Sequence, residues 1–289
     1  MHYTLAKGIL SARNSMNIYR GCTHGCIYCD SRSKVYQINH TFEDIEIKEN
    51  AITLLENRLM SKRNKCMIST GSMTDSYMPL EKDVEMTRQA LEVIFKYGYG
   101  VSLLTKSTLI LRDLDLLQKI NERSKAVVQM TLTTYDEELC KILEPHVSTT
   151  KERFDALMTF KEHNIPTVVW LGPFLPFIND NLDNLKGVLD YCVKAKVKGI
   201  MNFGIGLTLR EGNREYFYKK LDEHFPGIKD KYIKTYGNNY SIGSKNHKEM
   251  MNYFIDICKK NNILYQTDDV FQYLEDFPCK NVQLNLFDI

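Results

Sequence analysis

The sequence lacks the features that would place it in a membrane or outside the cell. No apolar run reaches the roughly 20 residues that a spanning helix needs. The start has no charged stretch followed by an apolar one, so no secretory leader is expected. Net charge is small as well. The 38 Lys and Arg against 36 Asp and Glu leave a formal +2, too little by itself to argue for nucleic acid or lipid. No internal repeat is detectable. These absences point to a cytoplasmic chain whose eight cysteines are reduced thiols and not a disulfide framework. What is present suits a globular protein: 289 residues, 43% of them hydrophobic, enough for one large domain or a domain with an appendage.

Three of the cysteines are crowded together. The stretch Arg20-Gly21-Cys22-Thr23-His24-Gly25-Cys26-Ile27-Tyr28-Cys29-Asp30 has two interior glycines and no apolar period, so it reads as a loop. Thiolates this close need an electrophilic partner. Structural zinc wants four ligands, usually as two separate pairs, and no second cysteine pair follows nearby. An iron–sulfur cube can be held by fewer thiolates when one iron is reserved for a ligand that is not protein. His24 keeps a zinc alternative open as a fourth ligand, although a residue two positions from each of two cysteines strains to close a tetrahedron on the same ion.

The CxxxCxxC spacing, with Tyr28 before the last cysteine, resembles the signature of the radical S-adenosylmethionine (radical SAM) enzymes. The flanking Asn17-Ile18-Tyr19-Arg20-Gly21-Cys22 and His24-Gly25-Cys26 resemble the spore photoproduct lyase-like branch. That resemblance implies a [4Fe-4S] cluster on Cys22, Cys26 and Cys29, with SAM chelating the remaining iron through its amino and carboxylate groups. It also implies an electron donor such as flavodoxin or ferredoxin, and cleavage of SAM to methionine and a 5′-deoxyadenosyl radical that takes a hydrogen atom from substrate.

Around this loop the chain alternates strand and helix. Strands are expected at residues 16–19, 65–69, 101–104, 126–132, 167–171 and 199–203. Amphipathic stretches lie between them: residues 45–60, the stripe from Leu80 to Ile94, the stripe from Leu111 to Ile120, two short helices around Pro145, and the stripe from Leu182 to Cys192. Residues 1–13 show no clear period. Six strands alternating with helices indicate an α/β fold with a parallel sheet. Periodicity alone leaves open whether that sheet is a barrel or an open doubly wound sheet. The resemblance implies a partial (β/α)6 TIM-like barrel over residues 1–206, a mainly helical extension over 207–279 and a tail at 280–289.

Parallel strands put their functional loops at the carboxyl ends, so the residues after each strand should ring one mouth together with the cysteine loop. After the second strand, Thr70-Gly71-Ser72 leads into Thr74-Asp75-Ser76-Tyr77-Met78-Pro79-Leu80-Glu81, which resembles the family's Thr-Asp-x-Tyr-x-Pro-x-Glu segment. Gly71 lets backbone approach a ligand closely. The Gly-Gly-Glu run common in the family is absent, so carbonyls or Ser72 would take the SAM amino group. Asp75 and Glu81 equally suit a turn acid and a helix-start acid. Thr105-Lys106-Ser107 resembles the family's Thr-Lys-Ser, which implies Lys106 as the cation for the SAM carboxylate. Thr131, Thr133 and Thr134 offer hydroxyls for the ribose, although β-branched residues are also ordinary strand formers, and Tyr28 is a further candidate cofactor contact. The segment from Glu144-Pro145 to Arg153 resembles the branch's Glu-Pro segment, with Arg153 either paired to Glu144 or reaching the cofactor. Leu171 runs into Gly172-Pro173-Phe174-Leu175-Pro176-Phe177-Ile178-Asn179-Asp180, similar to the family's Pro-x-x-Pro-x-x-Asn-Asp loop, so Leu171 and Pro173 are candidates to wall the adenine.

One departure bears on the reaction. The lyase that names the branch returns a hydrogen atom through a cysteine near the second strand's mouth, whereas here that neighbourhood reads Ser69, Thr70 and Ser72. The spore photoproduct reaction itself is therefore in doubt, and Tyr77 is the candidate substitute donor. Cys192 and Cys258 sit on apolar stripes and read as core, Cys66 begins the second strand away from the mouth, and Cys140 is undecided. Between Arg210 and Lys248, nine Lys and Arg stand against five Asp and Glu, interleaved with Tyr216, Tyr218, Tyr232, Tyr236 and Tyr240. That composition suits a grip on a nucleic acid strand as well as solvated helices. The tail Gln283-Leu284-Asn285-Leu286-Phe287 resembles the short peptide by which bacterial DNA repair and replication proteins bind the polymerase sliding clamp. The expected function is a radical SAM enzyme of this lyase-like type acting on DNA or a nucleotide. Radical modification of a peptide or small molecule, and a non-catalytic metal-binding nucleic-acid module, are the alternatives.

Overall fold

Six strands share one sheet in chain order: Ser15–Met16, Met67–Thr70, Gly100–Thr105, Ala126–Leu132, Thr167–Leu171 and Gly199–Met201. Every neighbouring pair is parallel. A doubly wound sheet reverses its strand order at a switch point, whereas a sheet that never reverses sends all its crossovers to one side and curls. The fold is therefore a partial barrel with a helical extension. The computed structural model describes residues 1–70 and 73–278. Gly71, Ser72 and the clamp-like peptide Gln283 to Phe287 lie outside the described residues.

Side chains alternate across each strand and sort the two faces of the sheet. Val101 and Leu103, Val128, Met130 and Leu132, and Val169 and Leu171 pack in the main core with helix residues such as Leu91, Leu117, Leu157 and Leu189. The alternate positions Ser102, Val127, Gln129, Thr131, Val168 and Trp170 face the lumen. Met67, Val127, Val168 and Met201 meet Val270 and Leu274 of the helix Thr267–Glu275, which plugs the lumen chiefly at the amino ends of the strands. The helices are fixed by local chemistry. Thr149 and Glu152 form a capping box for Thr150–Glu162, and Asn181 caps Leu182–Lys194.

Several expected elements differ. Residues 16–19 are not one strand. Ser15–Met16 joins the barrel, while Tyr19–Arg20 pairs antiparallel with Glu46–Lys48, itself parallel to His2–Thr4. The period-free start thus supplies a strand, and the stretch at 45–60 begins as one before the helix Ala51–Ser61. Strands of three residues are too short to carry a period. The stripe from Leu80 splits into Glu81–Val84 and Met86–Lys96 at Glu85, whose φ is +49°. The break lets the buried Glu81 carboxylate accept the Thr87 N–H at 2.8 Å.

Residues after the sixth strand serve two purposes. The helices Asn213–His224 and Ile228–Tyr236, with the antiparallel strand pair Gly206–Thr208 and Ser241–Gly243 that brackets them, form a second core around Phe217, Leu221, Tyr232 and Ile242. Cys26, Ile27 and Tyr28 belong to that core, so these helices back the cysteine loop. The helix His247–Lys260 instead delivers Met250, Phe254 and Cys258 to the main core. Among the described residues no helix is long and apolar enough to cross a membrane.

Candidate functional site

The cysteine loop leaves the small three-stranded sheet at Gly21, where φ is +88° and a Cβ would lie 2.5 Å from the Phe42 carbonyl oxygen. Only glycine fits there. Backbone bonds then pin the loop from several sides. Cys22 N–H donates to Phe42 O at 3.0 Å, Ile27 N–H to Leu143 O at 3.0 Å, and His146 N–H to His24 O at 3.2 Å. The Thr74 hydroxyl donates to Gly21 O at 2.5 Å. Cys22 and Cys26 are buried and Cys29 is half-buried. Burial, then the neighbouring Cys29 and Asp75, pushes the Cys22 thiol up to about 12, and burial lifts Cys26 well above its usual value. Thiols in such surroundings give up their protons to a bound cation and stay inert otherwise.

Three thiols on one pinned loop, with no second cysteine pair beside them among the described residues, are a donor set that fits a [4Fe-4S] cluster with one iron left for a ligand that is not protein. His24 is committed elsewhere: its Nδ1 lies 3.5 Å from Asp75 Oδ2, and burial holds it below the usual imidazole range.

Asp75 joins the loop to the ends of the second and third barrel strands. Its Oδ1 accepts from the Thr105 hydroxyl at 2.7 Å and the Tyr77 N–H at 2.8 Å, and its Oδ2 accepts the Lys106 N–H at 2.8 Å. Lys106 is half-buried. Its ammonium has no hydrogen-bond or ion-pair partner among the described residues. Burial works against that charge, but Cys26, Glu144, Asp75 and Cys29 outweigh it and raise the pKa. A lysine held charged at the mouth without a partner is free to meet an anion.

Behind Lys106 lies a closed network. Glu144 and Arg153 are wholly buried and ion-paired, and Tyr28 donates its hydroxyl to Glu144. Arg153 also donates to Thr131 O at 2.7 Å, and the Thr133 hydroxyl to Glu144 at 3.1 Å. Cys140 completes the network, its Sγ 3.1 Å from an Arg153 nitrogen. Arg153, 0% exposed, thus takes the first of its two expected roles, the pair with Glu144, while Thr133 and the hydroxyl of Tyr28, expected to contact the cofactor, face this network instead. Leu171 packs in the main core against the helices, not toward an adenine. Tyr77 is likewise 0% exposed, with its hydroxyl donating to Asp113 at 3.1 Å, so it cannot serve as a hydrogen donor at the mouth. For Thr133 and Leu171 the cause is that position at a strand's end does not reveal which face a side chain takes. Thr70 stays at the mouth end of its strand, its buried Oγ1 without a partner among the described residues. Thr131 lies on the lumen face, and Pro173 is half-buried beyond the fifth strand.

The lumen holds residues that pattern reading passed over. The Trp170 indole N–H donates to Gln129 at 2.7 Å, and the Gln129 amide donates to Ser102 at 2.8 Å. Trp170 stands 5.6 Å from the Phe203 ring, which is 68% exposed just past the sixth strand. Polar residues alternating with apolar ones in otherwise hydrophobic strands were the available signal. The basic and aromatic region at 210–248 is less open than its composition suggested. Arg214 is spent on the carbonyls of Leu209, Asn238 and Asn239, Lys220 pairs with Glu223, and Lys229 with Asp222. Tyr232 is buried, while Tyr240 is half exposed.

The comparisons with known proteins agree with this geometry. Over residues 16–192, from the first barrel strand to the helix after the fifth, the chain matches the family model of the radical SAM superfamily. An uncharacterized protein of Methanocaldococcus jannaschii is 35% identical over 220 residues, covering 75% of this chain and 78% of the relative. An uncharacterized protein of Mycobacterium tuberculosis is 26% identical over 238 residues, covering 78% and 68%. The structure of spore photoproduct lyase complexed with dinucleoside spore photoproduct superposes with a TM-score of 0.65 at 11% identity, covering 91% of this chain and 80% of that one, a likeness of fold. With three cysteines on a pinned loop at the carboxyl mouth of a six-stranded parallel barrel, and a family model spanning most of that barrel, the chain belongs to the radical SAM superfamily.

Proposed function

We propose that the chain is a radical SAM enzyme that holds a [4Fe-4S] cluster through Cys22, Cys26 and Cys29, binds SAM beside it, and acts on DNA or a nucleotide in a lyase-like, DNA-repair type of reaction. The carrying observation is that three free thiols on one pinned loop share the barrel mouth with the charged Lys106, whose ammonium has no hydrogen-bond or ion-pair partner among the described residues. When bound, the cluster and SAM together supply a 5′-deoxyadenosyl radical that removes a hydrogen atom from substrate, the electron coming from a flavodoxin- or ferredoxin-type donor.

The chain's own residues do the positioning. Lys106 meets the SAM carboxylate, and the Asp75 bond to its backbone N–H fixes the start of its side chain. Thr131 offers its hydroxyl on the lumen face and Pro173 an apolar wall at the mouth. A charge-assisted hydrogen bond contributes about 1.5–3 kcal/mol, so Lys106→Met should raise the Kd for SAM about 10- to 100-fold with iron content unchanged. Equilibrium dialysis of the cluster-loaded protein against labelled SAM reads this, and an unchanged Kd removes Lys106 from the site.

Two observations favour a nucleic acid substrate. Trp170 and Phe203 present aromatic faces where the lumen opens, a surface on which a base stacks. Lys231 and Lys234 are exposed on the helix Ile228–Tyr236 behind the cysteine loop and form no ion pair among the described residues. The test is to incubate the reconstituted protein with lesion-bearing, deuterated oligonucleotides and look for deuterium in 5′-deoxyadenosine. Label transfer supports the reading. Transfer only from a peptide or small molecule would move the substrate to that class. Recruitment by the sliding clamp through Gln283 to Phe287 rests on sequence alone. Clamp pull-down should succeed with the native chain and fail with Gln283→Ala and Phe287→Ala.

A further inference from the structure

On the small sheet beside the cysteine loop, His2, His40 and Glu46 bring their ligand atoms within 4.8 Å of one another. His2 and Glu46 are register partners on parallel strands, so their side chains share a face. His40 reaches them from the connection between the cysteine loop and Glu46–Lys48, its ring packed edge-on against that of His2 at 4.9 Å.

The second atom of each of these groups is already engaged. His40 Nδ1 lies 2.9 Å from the Thr41 carbonyl oxygen, which can only accept, so the ring proton sits on Nδ1 and Nε2 carries a lone pair. That Nε2 is buried and has no hydrogen-bond partner among the described residues. His2 Nδ1 lies 3.0 Å from Asp44 Oδ2, which likewise directs the Nε2 lone pair outward. Glu46 Oε1 accepts the Thr4 hydroxyl at 3.1 Å, leaving Oε2 3.8 Å from His40 Nε2. Histidines whose far nitrogens are held by a carboxylate and a backbone carbonyl are the outer-shell arrangement of protein metal sites.

We propose that His2, His40 and Glu46 bind a divalent transition-metal ion, zinc in the first place. Two imidazoles and one carboxylate form a borderline donor set that suits zinc, and not the all-oxygen set of magnesium or calcium or the thiolate set of an iron–sulfur cluster. With bonds of about 2.0–2.2 Å the ligands close in by roughly an ångström, and a water fills the fourth position. Glu46 is also the register partner of Arg20, the residue before Gly21 and Cys22, and Cys22 N–H donates to Phe42 O. The ion therefore ties together the strands and the connection from which the cysteine loop departs, a site separate from the thiols.

The test uses the untagged full chain, purified anaerobically with its iron, dialysed against zinc and assayed for both metals by mass spectrometry. One zinc per chain is expected in addition to the iron. His40→Ala and the nearly isosteric Glu46→Gln should each weaken zinc binding at least 10-fold and leave the iron count intact. Asp44→Asn, acting through His2, should weaken it about 10-fold. Cys22→Ala should do the reverse, losing iron and keeping zinc. Cobalt in place of zinc should give d–d bands without a thiolate charge-transfer band. Absence of zinc from the native chain overturns the proposal, as does full zinc affinity in both His40→Ala and Glu46→Gln, or zinc lost only with the cysteines.

Discussion

Alanine at Cys22, Cys26 or Cys29 is expected to strip the protein of cluster iron and to reduce SAM cleavage to the level of a control without enzyme. In the proposed site each thiolate ligates a different iron, so no neighbour substitutes for it. The loss is chemical and does not come from collapse of the loop. Cys22, His24, Ile27 and Gly21 are fixed through backbone groups, by Phe42, His146, Leu143 and Thr74 respectively, and these bonds survive truncation of a thiol. Circular dichroism of the metal-free variants should therefore overlay that of the metal-free native chain while iron content falls to background. His24→Ala is the companion variant. It should keep its iron, because His24 turns its Nδ1 to Asp75 and is not needed as a ligand. A His24→Ala protein that loses its metal entirely would restore the zinc alternative.

The largest effect on stability is expected at Glu144 and Arg153. Both are fully buried and each leaves the other charged and unpaired when removed, so Arg153→Met should destabilise the metal-free protein by about 3–5 kcal/mol in urea unfolding. Lys106, close enough to bias Glu144, softens the loss. The double variant Glu144→Gln/Arg153→Met should cost less than the sum of the singles, because it removes both charges at once. The same pair makes stability depend on pH. Burial alone would raise the Glu144 pKa, but Arg153, Lys106 and the Tyr28 hydrogen bond overcome it and leave the carboxyl below its usual 4.5. A carboxyl depressed in the folded state binds its proton more readily once unfolded. Its contribution is therefore full above the unfolded value, about 4.3, and is lost as pH falls through the folded one. The acid limb of the stability profile should be shallower in Glu144→Gln than in the native chain, and an unchanged limb would show that the fold does not depress the Glu144 pKa.

Those two sites differ in how far the sequence discloses them. The cysteine loop is legible because three ligands within eight residues need no knowledge of the fold. The barrel strands are legible because apolar runs such as 126–132 and 167–171 stand out between amphipathic helices. Their sequential order is not legible, since an identical alternation serves a doubly wound sheet. For Thr133 and Leu171 one residue of register decides whether a side chain meets the lumen, the helices or a buried network. Tyr77 lies in the loop past the second strand, where only the fold reveals that its hydroxyl turns inward to Asp113. Composition misjudged the region from Arg210 to Lys248 in another way. It counts cations without seeing that Arg214 binds carbonyls or that Lys220 and Lys229 already have acids. The cluster of His2, His40 and Glu46 depends on His2 and Glu46, more than forty positions apart on strands too short to carry a period, so only their paired register brings it into view.

The central claim is that one iron of the cluster is left by the protein for SAM, and electron–nuclear double resonance on the reduced protein tests it most directly. With SAM labelled at its amino nitrogen and its carboxylate, the account predicts hyperfine coupling from both labels to a single cluster iron. A cluster that shows no coupling to either label, or a protein whose thiols hold one zinc and no iron, would contradict it.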